Sequence, residues 1–204
     1  MAQANGIFSG CRVARTVSGN SPFIVYVPRG RTTDYNTALV WRNHNVDKST
    51  SNGLPKAGAM VYKNASNMIR CFPGDAAATQ MDTAATNLIG LLLQDVPAAG
   101  TTTVEQNVRV AIAAAVPDNI FEASISDTAA TTTATTTSSL IGLNMGASVN
   151  GSFFSIRRTS TEAAGIRSSQ IFRIVDVVDA EGTLNGRVQF VCRRSLFMDT
   201  SVVV

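Results

Sequence analysis

The sequence predicts a mainly β protein: a small β-barrel or β-sandwich over 54–117, a second β-rich subdomain over 118–204, and an extended N-terminal arm over 1–53. Three observations carry that expectation. Short apolar runs with a period of two recur along the chain, the mark of half-buried strands. Turn-forming residues close them, as at Pro73-Gly74-Asp75, Pro97-Ala98-Ala99-Gly100 and Pro117-Asp118-Asn119. No long amphipathic helix interrupts the pattern.

The arm comes first. Ser21–Pro28 (SPFIVYVP) is β-prone and fenced by prolines, which suits an edge strand better than a central one. Further apolar points stand at Ile7-Phe8 and Leu39-Val40-Trp41, but no sustained period marks a self-contained core. Isolated anchors on an extended segment gain their burial against another chain. The alternative is that the arm wraps its own barrel. Up to Gly53 six bases face two acids, a charge of +4, while the remainder carries eleven bases against twelve acids. Ser49–Gly53 reads as a flexible link.

The central block, from Leu54, alternates strands and turns. Met60-Val61-Tyr62 and Met68–Phe72 are β-type runs. Thr79–Asn87 is expected as a short helix or a loop, and the apolar Leu88–Leu93, with Gly90 inside it, as a buried strand. Val104, Val108, Val110 and Ile112 mark one face of a later strand, with Glu105, Asn107 and Arg109 on the other. The turn at 117–119 sets a subdomain boundary. Beyond it Ile120–Ile125 is a strand with Phe121, Ala123 and Ile125 on one side. The uncharged stretch Thr128–Ser139 buries too little to offset its ordering entropy, so an exposed loop is expected. Ser152–Arg157 is a strand. Ile171–Val178 and Arg187–Cys192 form a hairpin with a long tip, Val188, Phe190 and Cys192 facing one side. The apolar tail Thr200–Val204 is expected to join a sheet edge or dock on a neighbour.

Composition narrows the function. Apolar content is 45%, but charged residues make up only 15%, so small neutral groups cover the surface. Such a surface costs little to desolvate against a neighbouring protein; a bland soluble β-protein has the same composition. A nucleic-acid partner calls for a denser basic patch with interleaved aromatics. Cys11, Cys71 and Cys192 form no CxxC pair, so neither a zinc site nor a redox motif follows, and buried free thiols are expected. The first residues lack the basic start and apolar core of a signal peptide, and no eighteen-residue apolar run marks a membrane span, so neither is expected. His44, between two asparagines, reads as a surface residue, and no nucleophile elbow, Walker loop or dinucleotide fingerprint is present. Asp176, Asp179 and Glu181 cluster at the hairpin tip, where a solvated turn is expected in preference to a weak Ca²⁺ site. The expectation is a protein without catalytic, cofactor-binding or metal residues.

Short motifs add a family. Ala57–Tyr62 (AGAMVY), Asn87–Leu91 (NLIGL) and Val96–Gly100 (VPAAG) resemble the strands and turn of tailed-phage head decoration, or cement, proteins. Asp118–Glu122 and the Asn185–Val188 hairpin look like structural proteins of environmental phages. The resemblance implies a virion protein, assembled in the host cytoplasm, that binds the outer capsid surface, ties major capsid proteins together and self-associates as a homodimer or homotrimer. With that role the arm is the expected contact element, and Phe23, Val25, Tyr26, Arg29, Arg31 and Trp41 the expected partner-binding residues. The alternatives are a phage head-surface or tail protein that binds host carbohydrate, and a major capsid protein.

Overall fold

The computed structural model describes residues 11–28, 40–41, 57–63, 68–71, 87–94, 109–127, 134–150, 153–158 and 170–198. The fold is mainly β. Among the described residues the strands are β1 (Arg12–Thr16), β2 (Ile24–Pro28), β3 (Val40–Trp41), β4 (Met60–Lys63), β5 (Met68–Cys71), β6 (Leu88–Leu92), β7 (Arg109–Ala114), β8 (Asn119–Ser126), β9 (Asn144–Asn150), β10 (Phe153–Arg157), β11 (Phe172–Val177) and β12 (Arg187–Cys192).

Five of them close a barrel in the order β8-β10-β9-β11-β12, with β12 returning to β8; β1 is added beside the first half of β8. Only β8–β10 is parallel in this ring. The barrel is closed by the terminal part of the chain, not by 54–117, and its filling explains why. A small closed barrel needs bulky inward side chains. Phe121, Phe154, Phe172 and Phe190 supply them, each almost wholly buried. Phe154 and Phe190 both meet Phe172 edge to face, with ring centroids 5.3 Å apart. The expected alternation of β12 holds, with Val188, Phe190 and Cys192 buried between half-buried neighbours. By contrast, β8 is buried on both faces along its whole length.

The central block forms a second, six-stranded sheet in the order β2-β7-β6-β4-β5-β3. Small residues bring its central strands together: Ala114 on β7 faces Gly90 on β6, and Ala113 faces Leu91. Gly90 has φ +151°, and a Cβ there would lie 1.9 Å from the Ala113 carbonyl oxygen. The glycine inside the apolar run therefore allows β7 to approach, next to the register shift between β6 and β4. One face of the sheet carries Val61, Ile89, Leu92 and Ile112, with Val25 and Leu196 packed against them. From the other, Met60, Leu88, Leu91, Ala113 and Ala115 join the same apolar cluster as the barrel phenylalanines. The two β units thus share one core.

Two expectations are revised. Within the expected arm, Arg12–Thr16 and Ile24–Pro28 are strands of this chain's own sheets, paired with β8 and β7. Strand pairing thus ties these segments to partners about 100 residues away in sequence, while Ile24 and Tyr26 stay exposed. Second, the described part of the expected loop 128–139 is exposed only at Ser138 and Ser139. Ala134 and Thr136 are buried, Ser138–Leu140 makes a 3-10 turn, and Thr135 bridges to Leu184. Hydroxyls supply what apolar bulk does not: Thr136 Oγ1 donates to the Ala180 carbonyl at 2.6 Å, and its backbone N–H donates to Thr183. The helix or loop expected at 79–87 and the tail at 200–204 fall, apart from Asn87, outside the described residues.

Candidate interaction site

The site is built on the turn that carries the chain from one sheet to the other, Ala115–Asp118 between β7 and β8. Asn119, the first residue of β8, has no exposed surface. Its amide Nδ2 donates to the Ala114 carbonyl at 2.8 Å and to the Phe23 carbonyl at 3.1 Å, while its Oδ1 accepts the Phe23 N–H at 3.2 Å. One buried side chain thus satisfies both backbone groups of Phe23, as a neighbouring strand would. Asp118 does the same one residue earlier: its carboxylate accepts the Ser18 N–H at 2.8 Å and the Ser18 hydroxyl at 2.7 Å. The Asp118 carbonyl accepts Val17 N–H at 2.8 Å. Asp118 and Asn119 are a clip that fixes residues 17–23 between β1 and β2.

The clip holds up an apolar strip. Phe23 is 57% exposed, Tyr26 59% and Ile24 37%. The Cα partners Tyr26 and Ala111 continue through the bond from Leu93 N–H to the Ala111 carbonyl, which adds the exposed Leu93 to the same row. The parallel row Ile24–Ala113–Leu91–Met60 runs into the shared core. Ile24, Tyr26 and Leu93 are therefore the open margin of a face whose remainder is buried, and the exposed Phe23 stands beside it at the entry to β2. As the end strand of its sheet, β2 is hydrogen-bonded to β7 alone, and β3 approaches it to within 8 Å between Cα atoms without a ladder.

A second set of contacts secures β1. Glu122 on β8 is buried and takes two guanidinium groups, Arg12 at 2.6 Å and Arg187 at 3.2 Å. Arg187 also pairs with Asp179 at 2.7 Å. That hydrogen bond holds the Asp179 carboxyl below the usual carboxylate range and raises the Arg187 guanidinium. Arg15 Nε reaches from β1 across β8 and donates to the side-chain Oε1 of Gln189 on β12, at 3.2 Å. The carboxylates at the hairpin tip have separate partners: Asp179 takes Arg187, Asp176 accepts the Val177 N–H, and Glu181 accepts the Thr137 hydroxyl. Among the described residues no three His, Cys, Asp or Glu side chains are grouped to hold a metal ion. Cys11 and Cys192 are buried free thiols, both pushed up chiefly by burial, which keeps them protonated.

Of the expected contact residues, Phe23 and Tyr26 are both exposed. Val25 turns the other way, onto the cluster of Val61 and Ile112, as alternation on a strand requires. Trp41 sits in β3 opposite Ile69, with its side chain outside those described. Arg29, Arg31 and His44 lie outside the described residues. Sequence reasoning read Asp118 and Asn119 only as turn residues. Their side chains bond locally in most turns, and nothing in the spacing marks partners 96 and 100 residues away. No known family model matches this chain, and no curated protein matches it.

Proposed function

We propose that this chain is a non-enzymatic virion structural protein, a capsid decoration protein that adheres to the outer surface of a phage head and ties major capsid proteins together. The observation that carries the reading is the exposure of Ile24 and Tyr26 on the edge strand β2, and of Phe23 at its entry, which buried Asn119 holds in place. A rigid apolar edge contributes adhesion with little ordering cost on contact, and many such weak contacts over a lattice add through avidity. The motif resemblance in the central and terminal blocks supports the same reading. The test is co-sedimentation with capsids that lack the protein, followed by electron microscopy. Wild-type chain is expected to bind saturably, and the double substitution Phe23→Ser, Tyr26→Ser to lose that binding while its unfolding midpoint stays near wild type. Undiminished binding by the double variant counts against the strip, and no binding by wild type counts against decoration.

A further inference from the structure

The structure shows what fits the groove beside β7 and β8: residues 11–28 of this chain. We infer that this segment is exchangeable, and that a second copy's residues 11–28 fill the same groove when copies are crowded. The inference deepens the decoration reading and rests on its self-association, but its test uses no capsid, so the two can fail separately.

The walls of the groove stand without the segment. β7 is paired with β6 on its other side, and β8 with β12 and β10. The Asn119 amide is oriented by its bond to Ala114, which needs nothing from the segment. The segment itself is one contiguous piece whose strand pairing is with β7 and β8 and whose connecting turn is clipped by Asp118 and Asn119. It supplies an edge strand to each sheet, so both ends leave the groove together. Between Pro28 and Val40 lie eleven residues, which reach about 40 Å when extended. The closed form needs far less, since β2 and β3 approach to within 8 Å.

Bonds made in exchange equal those made within one chain, so the balance is set by concentration. A tethered segment competes at an effective concentration on the order of 1 mM. The chain is therefore closed when dilute, and copies side by side on a lattice reach the crossover.

The test uses two single variants, Tyr26→Cys and Ala111→Cys, at positions that are Cα partners in the ladder. Placed in one chain, the two introduced thiols are expected to join under mild oxidant as a faster-migrating monomer. Mixed from separate chains, they are expected to yield a covalent heterodimer at about 1 mM, at least tenfold less of it at about 10 μM, and none from either variant alone. A mixture that yields no heterodimer at the higher concentration, although the double variant closes, overturns the inference. The unsubstituted chain gives a second readout that does not depend on the introduced thiols. Concentrated to about 1 mM and diluted, it is expected to show a slowly decaying dimer on size exclusion, faster to decay with Asn119→Ala. A monomer throughout overturns the inference as well.

Discussion

At Asn119 a single carboxamide replaces part of a β ladder, and its removal has a calculable cost. Asn119→Ala removes the side-chain partner of the Phe23 N–H and of the Ala114 carbonyl, while the Phe23 carbonyl keeps the Ala114 N–H, and is expected to lower stability by about 2 kcal/mol in chemical denaturation. Asp179 offers a test by pH. Its carboxyl is depressed by Arg187, so the stability it contributes is complete above the ordinary carboxylate range and is lost as pH falls through its lower folded value. The unfolding midpoint is expected to drop below about pH 4, and Asp179→Asn to remove part of that drop. Arg187 stays charged throughout, so the carboxyl alone sets the sign. The Asp179 role was hidden in a sequence that showed three acids near one turn. Which acid meets the arginine eight residues on is settled by the hairpin register.

Elements show where pattern suffices and where it fails. The β11–β12 hairpin and strands β6 and β8 follow from alternation and apolar runs, because each side chain's face is set by its neighbours in the strand. The expected loop at 128–139 shows the limit: small residues were read as lacking burial, yet Ala134 and Thr136 are buried because a remote hairpin tip offers them both donors and acceptors. Gly90 is the sharpest test at this scale. Gly90→Ala places a Cβ into the backbone of β7 at a φ that L-residues avoid. It is expected to cost about 4 kcal/mol or more, read as a large fall in the denaturant midpoint or as loss of soluble chain.

The whole molecule behaves as one unit if the shared core governs it. Leu88, Leu91 and Met60 of the open sheet lie in the same cluster as Phe121 and Phe190 of the barrel. Phe190→Ala is expected to destabilise by about 3–5 kcal/mol. Trp41, the single tryptophan, stands in β3 of the other sheet. Its fluorescence transition is expected to shift together with far-UV circular dichroism in that variant. Two separated transitions, with only one moved, would show that the units unfold independently.

By itself the sequence determined the β class, the terminal strands other than β9, the apolar edge strand around Phe23–Tyr26 and the turn at 117–119, since each depends on residues within a few positions of one another. Tertiary structure alone decided which block closes the barrel, that the two units share a core, and that residues 11–28 are clipped to their own chain. Those outcomes depend on the volume of four distant phenylalanines and on hydrogen bonds spanning about a hundred residues. Local periodicity carries no record of either.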